Sequence, residues 1–308
     1  MDKKSPQVSL GMPIFNGENY LEDTLDSILA QTFTDFELII SDNASTDRTR
    51  EICLAYQAKD SRIHYTRNEK NLGAAKNYNL LFDLARGEYF KWVAHDDPCA
   101  PEYLEYCVNL FNSEADAVMC YPRTILIDEN DEVIEYHDDG FDLRSPKAGQ
   151  RLRKSFYSSA WCHPVFGLIR ANVLKQTDLI GNYASSDKVL LAELAMLGKC
   201  CEVPKHLAYR RLHPQNSTET HTSDEAMAAW FDPAARKKVL APRWRRLIEL
   251  YKFIKKSPLS KSDRLGCYLE LGRFYLSIGR LAGVAKDMKQ MSKRVFQIFS
   301  RDKQENLA

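Results

Sequence analysis

The sequence predicts an α/β fold built on a mostly parallel β-sheet. Within the first 100 residues, four apolar segments of strand length alternate with three segments whose apolar residues recur at helical spacing. The second strand segment, FELIISD, is an apolar run of the kind that lies inside a parallel sheet. Strands and helices that alternate in this way predict right-handed βαβ crossovers, with the helices covering the sheet.

The amino-terminal elements follow from these patterns in chain order. The predicted strands cover residues 8–14, 36–42, 62–68 and 88–94, and the predicted helices cover 17–31, 45–59 and 72–85. Ser45 or Thr46 is the predicted N-cap of the second helix, and Gly87 is predicted to end the third.

The middle of the chain continues with further strands and one well-marked helix. We predict strands over 115–128 and 200–214 and a helix over 185–198 that begins at Ser185, Ser186 and Asp187. The triplet His137-Asp138-Asp139 stands in a polar stretch with no predicted strand before it, and we interpret it as solvated surface.

The carboxyl-terminal third differs in composition from the rest. From residue 223 the chain reads as helices, with predicted breaks at Pro233, Pro242 and Pro258. The net charge of +1 divides into −9 over residues 1–222 and +10 over 223–308. We therefore predict a domain over 1–222 and a basic helical extension over 223–308.

The basic extension admits two interpretations. Its last segment places apolar residues at helical spacing, with most of the lysines off that stripe: Leu281, Val284, Ala285, Met288, Met291, Val295 and Ile298. Such a helix can lie on an anionic membrane surface, which would suit a lipid-linked substrate. It can equally pack on the acidic body or on a second copy of the chain in a homo-oligomer.

Composition narrows the protein class. The chain shows no signal-peptide pattern and no apolar run long enough for a transmembrane helix. Its eight cysteines are scattered without a C-x-x-C pair, which disfavours a disulfide framework or a zinc site and fits a reducing cytoplasm. We expect a cytoplasmic protein, peripheral at the inner membrane face if the extension binds lipid, with no nucleic-acid partner.

The ends of the predicted strands carry the candidate site. In a parallel sheet, ligands bind beyond the carboxyl ends of the strands. Here those ends carry Asn16, Asp42, Asn68 and the run His95-Asp96-Asp97. Two adjacent carboxylates repel each other, so either a divalent cation or plain solvent exposure accounts for Asp96 and Asp97.

Five ordered segments resemble one known family, the inverting nucleotide-sugar glycosyltransferases of family 2, over roughly residues 7–220. They are the start VSLGMPIFNGENYLEDTLDSILAQTFTDFELIISDNASTDRT, then NEKNLGAAKNYNL, HDDPCAP, SSDKVLLAEL and YRRLHPQNS. The resemblance implies a GT-A fold with a Rossmann-like sheet. It also implies transfer of a sugar from a nucleotide-diphosphate donor, with UDP expected, to a glycan or lipid-linked acceptor in cell-surface polysaccharide assembly.

HDDPCAP stands where this family has its metal-binding D-x-D. The resemblance implies that Asp97 ligates Mn²⁺ or Mg²⁺ and that Asp96 faces the ribose or the metal. His95 replaces the first Asp of the motif, and either ligates the metal or only hydrogen-bonds. His213 resembles the family's late histidine, which meets the diphosphate or the metal. The alternative for Asp97 is an N-cap of the following helix.

The resemblance also assigns the remaining site residues. The helix-start carboxylate Asp187 is the implied general base, with a simple helix cap as its alternative. The WCHPVFG segment is the implied acceptor platform, through Trp161, His163 and Gly167. The implied nucleotide-sugar contacts are Pro13, Phe15, Asn16, Glu18, Asp42, Asn71, Gly73 and Lys76, of which Asp42 would pair with uracil.

Two other functions fit parts of the sequence. A sugar-1-phosphate nucleotidyltransferase would carry a Gly-rich basic loop after the first strand, which MPIFNGENY lacks. A non-catalytic nucleotide-sugar binder would tolerate loss of the base, yet Asp187 is present.

Overall fold

The computed structural model describes residues 5–158, 162–233, 241–277 and 280–289. Its strands are β1 (Val8–Ile14), β2 (Phe36–Asp42), β3 (Ile63–Arg67), β4 (Tyr89–Trp92), β5 (Ala117–Ile127), β6 (Val133–His137), β7 (Leu168–Arg170) and β8 (Lys199–Arg211). Its helices are α1 (Leu21–Leu29), α2 (Thr49–Lys59), α3 (Ala74–Leu84), α4 (Tyr103–Ser113), α5 (Ala148–Ser155), α6 (Ala171–Leu174), α7 (Ser186–Leu197), α8 (Ser217–Thr220), α9 (Asp224–Phe231), α10 (Pro242–Lys256) and α11 (Lys261–Leu276).

The eight strands form a single mixed sheet. Seven follow the order β3-β2-β1-β4-β7-β5-β6, and β8 pairs with β5. The amino-terminal strands β3, β2, β1 and β4 are parallel, as predicted. The short strand β7 runs antiparallel between β4 and β5 and joins this half to the parallel β5–β8 pair. The predicted α/β class with a mostly parallel amino-terminal sheet is confirmed.

Apolar side chains fill both faces of the sheet. On one face, Leu10 and Ile14 of β1 pack with Leu25 of α1 and Leu104 of α4. On the other face, Phe90 and Trp92 of β4 pack with Leu81 of α3 and Leu190 of α7. Successive strand residues point to opposite faces, so the apolar run of a central strand supplies both layers.

A third apolar cluster attaches the carboxyl-terminal helices to the sheet domain. Leu250 and Phe253 of α10 and Leu271 of α11 pack against Leu152 of α5 and Met196 of α7. Val284 joins the same cluster, while Leu281 and Met288 are exposed. The described part of the extension therefore packs on the body. Of the predicted amphipathic stripe, Met291, Val295 and Ile298 lie outside the described residues.

Three local predictions were wrong. Helix α3 ends at Leu84 with Ala85 as its C-cap, so Gly87 does not end it. Helix α2 begins at Thr49 after Arg48, not at Ser45 or Thr46, because the Ser45 hydroxyl instead accepts a hydrogen bond from Asn16 N at 2.9 Å. Asp139 is not solvated surface: it is 1% exposed, and Oδ2 of its carboxylate accepts from Thr124 Oγ1 at 3.1 Å.

The predicted helix breaks at three prolines are confirmed. Pro242 is the first residue of α10, and Pro233 and Pro258 follow α9 and α10 within two residues. No disulfide joins cysteines within the described part of the chain. Among the described residues, every helix is too short or too polar to cross a bilayer. The division of the chain at residue 222 stays a prediction.

Candidate active site

A cavity of about 1350 Å³ opens beyond the carboxyl ends of β1, β2 and β4. Parallel strands bring the loops that follow them to one edge of the sheet, which places these loops around a common space. Many of the side chains predicted from sequence line it: Pro13, Phe15, Asn16, Glu18, Asn71, His95, Asp96, His163 and Asp187. At least one residue predicted for each of the donor, metal, acceptor and base roles therefore lines the same cavity.

The loops after β1 and β2 are joined by hydrogen bonds from backbone N–H groups to side-chain oxygens. Thr46 N donates to Asn16 Oδ1 at 2.8 Å, and Asn16 holds a left-handed backbone with φ of 53°. Glu18 N donates to Asp47 Oδ2 at 3.1 Å, and Arg48 N donates to Glu18 Oε2 at 2.9 Å. Asn16 and Glu18 therefore both face the cavity and fix its first rim.

Asp42 lies beneath this rim. Its carboxylate is fully buried and accepts from Ser45 N at 2.8 Å and from Tyr65 Oη at 2.7 Å, with Arg67 Nε 3.4 Å away. The cavity is lined by the next residue, Asn43. In this geometry Asp42 positions the rim loop, and its predicted contact with uracil stays a prediction.

Asp96 is the buried carboxylate that faces the cavity. Its Oδ2 lies 3.0 Å from His213 Nε2 and accepts from Asn216 Nδ2 at 3.3 Å. Burial alone would raise the pKa of Asp96, but the charge of His95, the His213 hydrogen bond and the charge of Arg210 outweigh it and hold that pKa well below its ordinary value. Asp96 is therefore an ionised carboxylate next to the His213 imidazole.

Asp97 has a different environment from its neighbour. Its Oδ2 lies 2.7 Å from Arg210 Nη1, and its Oδ1 accepts from Arg211 N at 2.9 Å. The residue is not among those that line the cavity. Because α4 begins at Tyr103, six residues further on, Asp97 is not its N-cap.

Sequence reasoning missed Arg210, which lines the cavity. Arg210 and Arg211 are adjacent on β8, so their side chains point to opposite faces. Arg211 is 1% exposed and pairs with Asp131 at 2.8 Å, whereas Arg210 holds Asp97 beside the cavity. The sequence signal that could have identified Arg210 is a pair of adjacent arginines in a predicted strand just before His213.

Asp187 lies at the start of α7 and lines the cavity. It is the second residue of that helix, and its Oδ1 accepts from Lys188 N at 2.8 Å. The residue before the helix is Ser185, which has φ of 64° and makes no side-chain capping bond. Asp187 is thus not a helix cap in this geometry, although the helix dipole favours its negative charge in the first turn.

A short 3-10 turn, His163–Phe166, forms another part of the cavity wall. The Phe166 carbonyl accepts from Lys91 Nζ at 2.5 Å and from Tyr103 Oη at 3.0 Å, which anchors the turn to β4 and α4. Gly167 is buried, and a Cβ there would lie 2.6 Å from Cys120 O, so this glycine serves close packing. Trp161 lies outside the described residues.

Residues beyond the predicted domain boundary close a further side of the cavity. Met227, Trp230 and Phe231 of α9 line it. Gly73 packs against this segment: its φ is 84°, and a Cβ would lie 2.6 Å from Pro233 Cδ. The absence of a side chain at Gly73 therefore allows the segment at the end of α9 to pack closely against it. Lys76 is exposed on α3, outside the cavity lining.

Comparison with known proteins identifies the family. The sequence profile described as Glycosyl transferase family 2 matches residues 9–177, more than half of the chain. This chain belongs to glycosyl transferase family 2. The match includes the strand ends that form the rim and the Asp96-Asp97 pair, while α7 and the end of β8 lie beyond it.

One curated relative in this family is the putative teichuronic acid biosynthesis glycosyltransferase TuaG of Bacillus subtilis. It is 39% identical over 105 residues, which cover 34% of this chain and 42% of TuaG. The chain spans between 38% and 42% of the length of two such family relatives, so the likeness concerns the shared domain.

Solved structures confirm the GT-A fold of the family. S. aureus TarS 1-349, in complex with UDP-GlcNAc, aligns with a TM-score of 0.64 at 17% identity over 91% of this chain and 79% of that one. The mannosyltransferase PcManGT from Pyrobaculum calidifontis, in complex with GDP-Man and Mn²⁺, aligns with a TM-score of 0.54 at 13% identity over 99% and 82%.

Proposed function

We propose that this family 2 protein transfers a sugar from a nucleotide-diphosphate donor to an acceptor hydroxyl, with inversion at the anomeric carbon. The observation that supports this most strongly is the arrangement around one cavity. Ionised Asp96, with His213 and Arg210 nearby, and Asp187 at a helix start contribute to the same space. A displacement reaction needs both charge neutralisation at the leaving group and a proton acceptor at the nucleophile.

The residues around Asp96 fit a divalent cation. Asp96 supplies an ionised oxygen and His213 Nε2 lies 3.0 Å from it, a donor pair that suits Mn²⁺ better than Mg²⁺. Asp97, the ligand expected from sequence, would join them by exchanging its ion pair with Arg210 for the metal. His95 lines the same part of the cavity. A divalent ion bound there would neutralise charge on the departing diphosphate.

The protein's own groups supply the rest of the chemistry. Arg210 is always charged and lies beside the cavity, where it would bind the diphosphate through its N–H donors. Asp187 would take the proton of the acceptor hydroxyl as the new bond to the anomeric carbon forms and the bond to the diphosphate oxygen breaks. His163 and the turn that carries it would hold the acceptor on that side.

The identity of the nucleotide base in the donor and the identity of the acceptor have weaker support. The two structural neighbours bind UDP-GlcNAc and GDP-Man respectively, so the fold accommodates either base. We favour a UDP-sugar from the resemblance of the amino-terminal segment. The name of TuaG supports an acceptor in cell-surface polysaccharide assembly, either a glycan or a lipid-linked glycan.

Neither rival function accounts for the site as well. Membership of family 2 disfavours a sugar-1-phosphate nucleotidyltransferase. A non-catalytic binder does not need a carboxylate on the cavity wall, where Asp187 lies.

A donor screen followed by a turnover assay tests the proposal. UDP-sugars and GDP-sugars should be compared by thermal shift with and without Mn²⁺, because a bound ligand raises the melting temperature by mass action. We expect one nucleotide class to stabilise the protein, more strongly with Mn²⁺, and expect nucleotide release when an acceptor is added. Binding without any release across acceptor extracts would favour the non-catalytic binder.

A further inference from the structure

A second group of side chains of metal-ligating type lies beside the cavity and shares no residue with the surroundings of Asp96. It consists of His137 at the end of β6, Asp139 two residues later, and His163 at the start of the 3-10 turn. One ligand atom of each residue lies within 4.8 Å of those of the other two. The three residues come from two segments that are remote in sequence, so the fold itself brings them together.

Two of the three pairwise distances are close to those between ligands of one small cation. Asp139 Oδ1 lies 3.1 Å from His163 Nδ1 and 3.8 Å from His137 Nε2. In a tetrahedral zinc site with bonds of about 2.0–2.1 Å, neighbouring ligand atoms lie roughly 3.3–3.5 Å apart. Small side-chain shifts would bring both distances to that range.

The Asp139 carboxylate is buried and directed into the group. Its side chain is 0% exposed, and Oδ1 accepts no hydrogen bond of good geometry from any residue that the structure describes. Leaving an ionised oxygen buried without a compensating partner is costly. A cation at the two ring nitrogens, or a proton on one of them, would compensate that charge.

Outer hydrogen bonds orient two of the three residues toward a common centre. Thr124 Oγ1 donates to Asp139 Oδ2 at 3.1 Å, which leaves Oδ1 to face the histidines. His137 Nδ1 lies 3.0 Å from Glu135 Oε1, so its Nε2 faces Asp139. A ligating histidine whose second nitrogen binds a carboxylate is the usual arrangement in metal sites.

We propose that His137, Asp139 and His163 bind a divalent transition-metal ion of the zinc class. Two imidazoles and one carboxylate suit Zn²⁺ or Co²⁺, whereas Mg²⁺ prefers oxygen ligands. The ion would fasten the segment after β6 to the cavity wall that carries His163. This site is separate from the one at Asp96, and it does not depend on the proposed transfer reaction.

Zinc retention by the full-length protein in excess Mg²⁺ tests the proposal. After chelator treatment, protein in the His213→Ala background is dialysed against Zn²⁺ and its metal content is measured. That background removes the imidazole beside Asp96. We expect bound zinc in this background, loss of it on adding His137→Ala or His163→Ala, and no loss on adding His64→Ala, which alters a remote, half-exposed histidine of β3.

Two further measurements guard against misfolded variants. Co²⁺ added to the unsubstituted protein should give the visible absorption of a nitrogen-ligated site even in excess Mg²⁺. Thr124→Val, which removes the bond to Asp139 Oδ2, should weaken zinc binding about 10- to 100-fold. Zinc content that is unchanged by His137→Ala and His163→Ala, or the absence of retained zinc, would overturn the proposal and leave a protonated histidine as the partner of Asp139.

Discussion

At the scale of single residues, two adjacent aspartates acquire different environments from the same strand end. Asp96 faces the cavity with His213, while Asp97 lies against Arg210 and the backbone of Arg211. Their roles are therefore separable by experiment. A group that binds metal contributes to donor affinity only when metal is present, whereas a group that positions Arg210 contributes with or without it.

The first prediction concerns Asp97. Asp97→Ala should lower donor affinity roughly tenfold or more in Mn²⁺, because a coordinating carboxylate is lost, and leave affinity without metal nearly unchanged. Titration of the donor with and without Mn²⁺ measures both values. Asp35→Ala, at an exposed surface residue, serves as the matched control. Equal losses in the two conditions would show that Asp97 acts through Arg210 instead.

Ala44 supports a second prediction, on stability. It holds φ of 67° in the rim loop after β2, a conformation that costs a non-glycine residue about 1–2 kcal/mol. Ala44→Gly should therefore raise the free energy of unfolding by about 0.5–1 kcal/mol, after the extra chain entropy of glycine is subtracted. Ala55→Gly, at an exposed position within α2, should instead lower it by a similar amount. Denaturant unfolding of both variants checks the opposite signs.

Prediction from sequence succeeded for residues whose position follows from the end of a strand or the start of a helix. It failed for residues whose surroundings are formed by residues that are remote in sequence. The rim positions of Asn16, Glu18, Asp96 and Asp187 follow from their places after strands or at a helix start. Asp139 was misjudged because its polar neighbours suggested solvent, while Thr124 and His163, which surround it, are remote in sequence.

At the scale of elements, α7 combines the proposed general base at its start with a buried carboxyl group. Asp187 lies at its start, and Glu193, six residues later, is fully buried. Glu193 Oε2 accepts from Asp178 N at 2.9 Å, and burial raises the pKa of Glu193 to about 8. The folded protein therefore holds a proton on Glu193 at neutral pH, whereas in the unfolded chain Glu193 has its ordinary pKa of about 4.5 and has released that proton.

This gives a third prediction, with a definite sign. Between roughly pH 4.5 and 8 the folded state binds more protons at Glu193 than the unfolded state, so its contribution to stability falls as pH rises, by up to about 1.4 kcal/mol per pH unit. Glu193→Gln, which cannot ionise, should be more stable than the parent at pH 7.5 and lose the advantage near pH 4.5. Melting curves across this range measure it; parallel pH profiles for parent and variant would contradict it.

Element bounds show which sequence signals are reliable. Strands β1 and β2 match the predicted ranges because apolar runs end abruptly at polar rim residues. The start of α2 was misplaced because Ser45 lies in a favourable capping pattern but bonds to Asn16 across the rim. Strand β7 was not predicted, since three residues between a 3-10 turn and α6 carry no periodicity.

At the scale of the whole molecule, the carboxyl-terminal helices contribute more to the apolar core and to the cavity wall than the sequence suggested. Helices α10 and α11 cover α5 and α7, and α9 closes one side of the cavity. Asp287 is 2% exposed and accepts from Arg243 N at 2.8 Å, which ties the end of the described chain to α10. The charge asymmetry indicated that this part differs from the body, but not where it packs.

Binding of the basic extension to a membrane surface remains a prediction. Lys252 and Lys255 of α10 are exposed. Each lysine or arginine near an anionic membrane surface contributes about 1 kcal/mol to the free energy of binding. We expect binding to anionic vesicles at low salt and a loss of roughly 10- to 30-fold in the Lys252→Glu/Lys255→Glu variant. Lys59→Glu, on α2 of the acidic body, should have little effect. Without vesicle binding at low salt, the extension serves packing or homo-oligomerisation.

The central claim is that Asp187 is the general base of a sugar transfer in this cavity. The most direct measurement compares donor affinity and nucleotide release for the parent protein and Asp187→Asn. Asparagine keeps the size of aspartate and loses only its charge, which the helix dipole favours by about 1 kcal/mol or less, so a purely structural role would leave both values nearly unchanged. We predict donor affinity near that of the parent and acceptor-dependent release reduced by about 10²–10⁴-fold. A fully active Asp187→Asn variant would contradict the account and exclude Asp187 as the base.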